Sequence, residues 1–172
     1  MMVPEKVKLA YRAMRKIERD VGGGEGTGGT YGSITETGVQ KILDMMKNYG
    51  LSTNSVFTDV GAGLARPLVH AHISPGVAET IGFENDYEKC SKARTLLDRV
   101  YAQKVVPPAS KTLLVCGTIS AKPELFNRAT HVYAFWQGFS LADRLGFGRM
   151  FHKSRKARCI CVVQNVRDGF GS

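Results

Sequence analysis

The sequence has no long hydrophobic run, and this absence excludes a membrane-spanning helix. No apolar stretch in its 172 residues approaches the roughly 20 residues that a transmembrane helix needs. The N-terminal segment, MMVPEKVKLAYRAMRK, carries charges throughout and has no apolar signal-peptide core. We therefore expect a soluble intracellular protein with no membrane partner.

Cysteine is scarce, and its spacing does not point to a metal or a disulfide. Cys90, Cys116, Cys159 and Cys161 form no CxxC pair, and no histidine stands at zinc-ligand spacing from them. Three of the four lie in the apolar runs LLVCG and CICVV, where a thiol usually acts as a small buried hydrophobe. The sequence predicts neither a metal site nor a disulfide framework.

Acidic residues are outnumbered by basic ones. The chain has 24 lysines and arginines against 15 acidic residues, which gives a formal charge of +9. The basic residues cluster between positions 6 and 19 and again in the run KSRKAR at 153–158. Such clusters favour anionic partners such as nucleic acid, nucleosomes or acidic protein surfaces, although a basic surface can also serve solubility alone.

The N-terminal part differs in composition from the rest of the chain. Apolar residues recur at helical spacing over 3–20 and predict an amphipathic helix. Six glycines follow within residues 22–30, which is typical of a flexible linker or of a mobile loop beside a ligand site. We expect residues 1–30 to form a basic helix and glycine-rich loop, and residues 31–172 to form one ligand-binding domain.

Five short apolar runs alternate with helical patterns in that domain. The predicted strands lie in VFTDVGAG, ETIGFE, KTLLVCGTI, HVYAF and RCICVVQN. Helical patterns cover residues 37–48, 64–73, 86–103 and 141–151. This alternation predicts an α/β fold with a mostly parallel central sheet flanked by helices. The continuous apolar character of LLVCG and CICVV is typical of central strands buried on both faces.

A glycine turn and a carboxylate follow the first two predicted strands. Asp59, Gly61 and Gly63 lie in the turn DVGAG, just before a helix, and Glu84 follows the second strand 25 residues after Asp59. Because ligands bind at the carboxyl edge of an open parallel sheet, we expect these residues to be neighbours. Glycines allow close backbone approach, and a carboxylate there can accept both ribose hydroxyl protons. The sequence predicts a nucleoside cofactor.

The choice of cofactor depends on Arg66. A dinucleotide fingerprint needs a third glycine at this position, for close packing of the helix against the strand. S-adenosyl-L-methionine has no pyrophosphate and tolerates the loss of that glycine. The turn DVGAGLA followed by GFE resembles the cofactor motifs of class I S-adenosylmethionine-dependent methyltransferases.

A longer pattern resembles a narrower family. Tyr31-Gly32, Glu36-Thr37, TDVGAGLAR and IGFEND resemble the motifs of the histone-lysine methyltransferases that lack a SET domain, the family of the disruptor of telomeric silencing. The resemblance covers roughly residues 31–165. It implies a Rossmann-like class I methyltransferase fold, S-adenosyl-L-methionine as cofactor, and a nuclear enzyme that methylates a lysine of a core histone in the nucleosome.

The resemblance also implies which residues bind the cofactor. They are Tyr31, Glu36, Thr37, Asp59, Gly61, Gly63, Glu84, Thr118 and Ile119. Several features depart from the family pattern. The tyrosine lies three residues further upstream, Arg66 stands where the family has Gln, and Thr118-Ile119 stands where the family has Asp-Phe to hold the adenine. Ile119 could still pack against the adenine ring.

The segment YAFWQGF lies at the expected position of the methyl-acceptor site. It stands where class I enzymes place the methyl acceptor, although the family has Asn-Asn-Phe there. Aromatic faces suit a lysine stem and a cationic sulfonium, and a water-poor channel lowers the pKa of a lysine amine. We predict Trp136, Tyr31 and Phe135 as the catalytic residues lining this channel. Packing in the core is the alternative role for these rings.

Other functions remain open at this stage. The charge equally permits a methyltransferase that acts on RNA or on a non-histone protein. A non-catalytic module of the same fold that binds nucleic acid or protein is the third possibility. If the histone hypothesis holds, the partners are a nucleosome or histone substrate and DNA contacted by the basic stretches, so raised salt should weaken substrate binding.

Overall fold

The computed structural model describes residues 2–24, 34–137 and 139–164. The strands are β1 Val56–Val60, β2 Glu79–Glu84, β3 Lys111–Cys116, β4 His131–Phe135 and β5 Cys159–Val163. The helices are α1 Glu5–Val21, α2 Glu36–Lys47, α3 Arg66–Ile73, α4 Tyr87–Ala102, α5 Pro123–Phe126 and α6 Leu141–Lys153, with a 3-10 turn at Ile119–Ala121. None of the helices in these ranges has the length and apolar character needed to cross a membrane.

All five strands form one parallel sheet, so the α/β prediction is confirmed. The strand order is β3-β2-β1-β4-β5, and each neighbouring pair is parallel. The chain moves outward from β1 to β3 and then returns to the other side of β1 with β4. A sheet with this order has its topological switch point between β1 and β4, and ligands bind outside the carboxyl ends of the strands there.

The prediction that LLVCG and CICVV form central strands is wrong. They lie in β3 and β5, the two edge strands of the described sheet. All residues of β5 are only half-buried, and β3 alternates between exposed and half-buried at its start. The strands buried most fully are β1, β2 and β4. An apolar run indicates that helices cover the faces of a strand, but it does not show whether both of its edges are paired.

A disulfide joins α4 to β3, contrary to the sequence prediction. Cys90 lies in the first turn of α4 and Cys116 is the last residue of β3, with 5.8 Å between their Cα atoms. The two residues are 26 positions apart, and no motif links them. Their proximity comes from the fold, because α4 follows β2 and packs beside the neighbouring strand β3. Cys159 and Cys161 are free thiols.

The N-terminal helix α1 shares the hydrophobic core of the sheet. Its apolar face carries Val7, Tyr11, Met14 and Ile17, which are buried in one cluster with residues of α2, α3 and α4. The amphipathic helix expected at 3–20 is confirmed, although it begins at Glu5 because Pro4 occupies the N-cap. The basic residues of α1 lie on the other face, toward solvent.

A buried polar network connects the first three helices. The Tyr11 hydroxyl lies 3.2 Å from Nδ1 of His70, and Nε2 of His70 lies 2.9 Å from Oε1 of Gln40. Burial lowers the pKa of His70 to about 4, which keeps its imidazole neutral. The network satisfies polar groups that would otherwise be costly in the core, so it acts as a structural junction behind the sheet.

Candidate functional site

The glycine turn after β1 needs its glycines for two reasons. Gly61 and Gly63 have φ angles of 83° and 53°, in the left-handed region that side chains rarely adopt. A Cβ on Gly61 would also lie 3.1 Å from Cε1 of Phe139. The amides of Gly61 and Ala62 both donate to the carbonyl of Phe83, at 2.8 and 2.9 Å, so β2 holds the turn in place.

Glu84, the last residue of β2, is hydrogen-bonded to this turn. Its side chain is buried, with Oε2 accepting the N–H of Gly63 at 2.8 Å and Oε1 accepting the N–H of Asp86 at 2.9 Å. Asp86 in turn caps α4, because its carboxylate accepts the amides of Glu88 and Lys89. The predicted neighbourhood of turn and carboxylate is present, with a direct hydrogen bond between them. This anchoring fixes the orientation of the Glu84 carboxylate.

A cavity of about 520 Å³ opens beside the turn and Glu84. This volume lies within the range of roughly 300–1,000 Å³ that is typical of small-molecule sites. The ends of β2 and β3 contribute Glu84, Asn85, Gly117, Thr118, Ile119 and Ser120 to its lining. The end of β4 and the helix α6 contribute Phe135, Gln137, Phe139, Ala142, Asp143, Gly146, Arg149, Met150 and Lys153. The cavity therefore lies at the carboxyl edge of the sheet.

The structure brings six of the predicted site residues together around this cavity. They are Gly61, Gly63, Glu84, Thr118, Ile119 and Phe135. Ile119 is buried and Thr118 is exposed, so at the end of β3 the apolar surface comes from the isoleucine. Tyr31, predicted for both cofactor and acceptor, lies outside the described residues.

Asp59 lies beneath the turn and does not line the large cavity. It borders a small chamber of about 40 Å³ together with Tyr133, its register partner on β4. Asp59 Oδ1 and the Tyr133 hydroxyl are buried and have no hydrogen-bond partner within the described part of the chain. Burial raises the pKa of Asp59 well above its ordinary value, and the nearby Glu84 charge raises it further. The carboxyl of Asp59 is therefore poised to accept or donate a hydrogen bond to a ligand group.

Glu36 and Thr37 lie apart from the cavity. They form the start of α2, where Thr35 is the N-cap and accepts the N–H of Gly38. Glu36 pairs with Arg15 of α1 at 3.5 Å, and Thr37 is exposed. In this arrangement Glu36 connects two helices, and neither residue reaches the cavity lining.

Trp136 also lies outside the cavity lining. Its ring packs edge-on against Phe147, with 6.2 Å between centroids, and the guanidinium of Arg144 lies 5.3 Å from the ring centroid. The aromatic residues of the described cavity lining are Phe83, Phe135 and Phe139. The geometry thus places Trp136 in the packing between β4 and α6, the alternative role considered for these rings.

Several lining residues were not singled out from the sequence. The largest group is one face of α6, formed by Ala142, Asp143, Gly146, Arg149, Met150 and Lys153. Their spacing of three and four residues is that of a helix face, and this periodicity is visible in the sequence. This helix face was not identified from the sequence because few of its residues are apolar. A face that lines a cavity need not be hydrophobic.

Solved methyltransferase structures share this fold. The methyltransferase domain of bacterial CtHen1 aligns with a TM-score of 0.58, at 11% identity, over 72% of this chain and 63% of its own. A proposed RNA methyltransferase from Pyrococcus horikoshii aligns at 0.55 and 16% identity, over 90% and 76%. An S-adenosylmethionine-dependent methyltransferase from Geobacter sulfurreducens, solved with S-adenosyl-L-homocysteine, aligns at 0.54 and 13% identity, over 88% and 54%.

These likenesses establish the fold class. The chain has the Rossmann-like α/β fold of class I S-adenosylmethionine-dependent methyltransferases. It spans less than two thirds of the length of the CtHen1 domain and of the Geobacter enzyme. No family model and no curated protein sequence matches the chain. None of these likenesses supports the narrower resemblance to the non-SET histone-lysine methyltransferases.

Proposed function

We propose that this chain is an S-adenosyl-L-methionine-dependent methyltransferase. The observation that carries the proposal is the buried Glu84 carboxylate, held by backbone amides beside a glycine turn at the mouth of a 520 Å³ cavity. The fold supports it, since the Geobacter sulfurreducens enzyme of the same fold was solved with S-adenosyl-L-homocysteine.

The residues around the cavity fit this cofactor. Glu84 offers the carboxylate that a ribose diol needs, and Ile119 offers an apolar surface for the adenine ring. Gly63 leaves open space in which a nucleoside can approach the backbone, whereas the space beside Gly61 is occupied by the ring of Phe139. Asp59 borders a small chamber that shares Gly61, Gly63 and Phe135 with this cavity, and its Oδ1 has no hydrogen-bond partner in the described part of the chain. Glu84, Gly61 and Gly63 are held together by backbone and side-chain hydrogen bonds of the turn and β2, and would hold the cofactor without large rearrangement.

When bound, the cofactor would supply an electrophilic methyl group on a positively charged sulfur. The chain's own contribution is to hold the acceptor in line and to exclude water. Phe135 and Phe139 provide apolar walls at the end of β4. The described lining holds no histidine, cysteine or tyrosine, and its two carboxylates, Glu84 and Asp143, already accept hydrogen bonds from backbone amides and from Ser140. This composition favours an acceptor atom that needs no prior loss of a proton.

We favour RNA or a non-histone protein as the methyl acceptor, the alternative that the sequence left open. Three statements stay predictions: that the acceptor is a histone lysine, that the protein is nuclear, and that its basic stretches contact nucleosomal DNA. The cavity lining includes Lys89, Arg149 and Lys153, and these cations would repel a positively charged substrate tail. Trp136, expected to line a lysine channel, packs against Phe147 instead. The proposed RNA methyltransferase activity of the Pyrococcus horikoshii protein also supports an acceptor other than lysine.

A methyl-transfer assay tests the proposed function. We expect the chain to transfer tritium from methyl-labelled S-adenosyl-L-methionine to an acceptor present in a panel of RNA, free histones and nucleosomes. Gly61→Val should abolish transfer, because φ is 83° and the added side chain meets Phe139. Gly148→Ala is the matched control, since its Cβ would enter open space on α6. Equal activity of the two variants would contradict the site, and a folded chain inactive on the whole panel would favour a binding module.

A further inference from the structure

The outer wall of the cavity is one face of α6, and it ends in a pair of cations. Arg149 and Lys153 are four residues apart, so their side chains lie one above the other on the helix. Both are exposed, and Lys89 of α4 belongs to the same lining. The part of the cavity bordered by the second half of α6 is therefore strongly basic.

The acidic residues of the lining, Glu84 and Asp143, form no ion pair with these two cations in the described part of the chain. Both oxygens of Glu84 accept backbone amides. Oδ2 of Asp143 accepts the N–H of Ser140 at 3.2 Å and its hydroxyl at 2.7 Å, which closes the capping box of α6. Arg149 and Lys153 form no ion pair with any residue in the described ranges. Their charges are available to an anionic ligand.

Aromatic surface lies in the same cavity as these charges. Phe135 and Phe139 are half-buried and line it together with the exposed side chain of Gln137. Phe139 also contacts the glycine turn, since a Cβ on Gly61 would lie 3.1 Å from its ring. Aromatic rings stack on the flat face of any nucleobase, and a side-chain amide can hydrogen-bond a base edge. The combination of rings with cations is the one that single-stranded nucleic acids require.

Resting on the proposed methyltransferase function, we infer that the methyl acceptor is a base of a single-stranded nucleic acid. Phe135 and Phe139 stack on the base, and Arg149 and Lys153 bind the adjoining phosphate. Arg155 and Lys156 follow Lys153 in the chain and are exposed, which extends the basic strip for further phosphates. A base in a duplex cannot enter a concave cavity without leaving its stack, so a single strand is preferred.

The acceptor atom within the base follows from the lining. A ring nitrogen of a nucleobase carries a lone pair and needs no general base. The methyl carbon forms its new bond to that nitrogen as the bond to sulfur breaks, and the positive charge passes from sulfur to the base. Any proton that the methylated base then loses goes to solvent. The described lining, which has no histidine, cysteine or tyrosine, suits this reaction.

Binding of a fluorescein-labelled single-stranded RNA tests the inference. Anisotropy is measured over a salt series for the wild type and for Arg149→Glu/Lys153→Glu. The matched control is Lys41→Glu/Arg94→Glu, which changes the net charge equally at exposed positions of α2 and α4. We expect the cavity variant to bind RNA roughly tenfold more weakly than the control does. Its slope of log affinity against log salt should fall by about 0.7, the contribution of the one phosphate contact that the variant loses on a single strand.

The same experiment distinguishes the inference from the function on which it rests. Calorimetry with S-adenosyl-L-methionine is run on all three proteins. Cofactor binding with equal RNA affinity in both variants would overturn the nucleic-acid assignment and leave the methyltransferase proposal intact. Tighter binding of duplex than of single-stranded RNA, or methylation of a histone peptide but not of RNA, would also overturn it. A folded wild type that binds no cofactor would overturn the proposed function itself.

Discussion

At the scale of single residues, the central contact is between Glu84 and the amide of Gly63. Its two partners could be predicted separately, because glycines after a strand and a carboxylate after the next strand are visible in the sequence. The hydrogen bond itself could not be predicted, since it depends on the register that pairs Val60 with Phe83. Through this hydrogen bond, the glycine turn and the Glu84 carboxylate form one pre-organised site.

The placement of Trp136 shows where residue-level prediction failed. Side chains alternate between the two faces along a strand, and residues 131–135 form β4. Val132 and Ala134 lie in the cluster on one face, and Trp136 continues that side and packs with Phe147. Phe135 points to the other side and reaches the cavity. The sequence shows an aromatic group, but the last residue of the strand decides which ring faces the ligand.

The buried Asp59 should make the free energy of unfolding of this chain depend on pH. Its raised pKa means that the unfolded chain releases this proton first as pH rises above 3.8, so stability falls with rising pH over that window. Asp59→Asn should remove this fall and raise the free energy of unfolding at neutral pH, because an asparagine has no proton to release in the unfolded chain. Urea unfolding of both proteins at a series of pH values measures it.

The comparison near pH 3.8 is the control for this prediction. There the Asp59 carboxyl is protonated in the folded chain, so the gain from the substitution should shrink toward zero. An equal gain at every pH would contradict the buried-proton explanation. A stabilising substitution at the cofactor site would also fit a residue that is retained for binding at the expense of stability.

At the scale of elements, prediction was best where periodicity was strong. The five strands and the helices α1, α2, α3, α4 and α6 all lie close to their predicted positions. The short helix α5 and the 3-10 turn at Ile119–Ala121 were not predicted, because four or three residues are too few to show a helical period. That 3-10 turn matters for the site, since Ile119 and Ser120 line the cavity.

The disulfide is a second feature that only the packing of elements reveals. It closes a loop with a sequence separation of 26 and joins the first turn of α4 to the end of β3. Reduction should lower the free energy of unfolding by about 3 kcal/mol, because the unfolded chain regains the freedom of that loop. Urea unfolding with and without dithiothreitol measures the difference, and Cys90→Ser/Cys116→Ser should match the reduced wild type.

The free cysteines provide the control for the disulfide. Cys159→Ser/Cys161→Ser should keep the full response to dithiothreitol, because neither thiol is bonded. Alkylation of all four cysteines in the unfolded, unreduced chain would contradict the disulfide. Because disulfides persist in oxidising surroundings, a reducing compartment would leave the thiols of Cys90 and Cys116 unbonded.

At the scale of the whole molecule, the fold class was predictable but the strand order was not. Alternating strands and helices predict a parallel sheet, and the observed sheet is parallel throughout. The sequence could not show that β3 and β5 lie at the edges, since apolar runs report covered faces and not paired edges. Knowing the order places β1 next to β4, and this places the cavity.

The charge distribution was also only partly predictable. The excess of +9 and the run 153–158 are plain in the sequence. The sequence does not show that Lys153 shares a cavity with Glu84, Phe135 and Arg149, because these residues come from three separate elements. The net charge therefore indicated an anionic partner, and the fold places part of the positive charge at one cavity.

The most direct test of the central claim is calorimetric titration of the chain with S-adenosyl-L-methionine. Saturable binding is expected, and Glu84→Gln should weaken it roughly tenfold to a hundredfold, since a hydrogen bond to a charged group is worth about 1.5–3 kcal/mol. Glu79→Gln, at the opposite end of β2 and paired with Arg128, is the control and should bind like the wild type. No binding by a folded wild type, or equal affinity in both variants, would contradict the account.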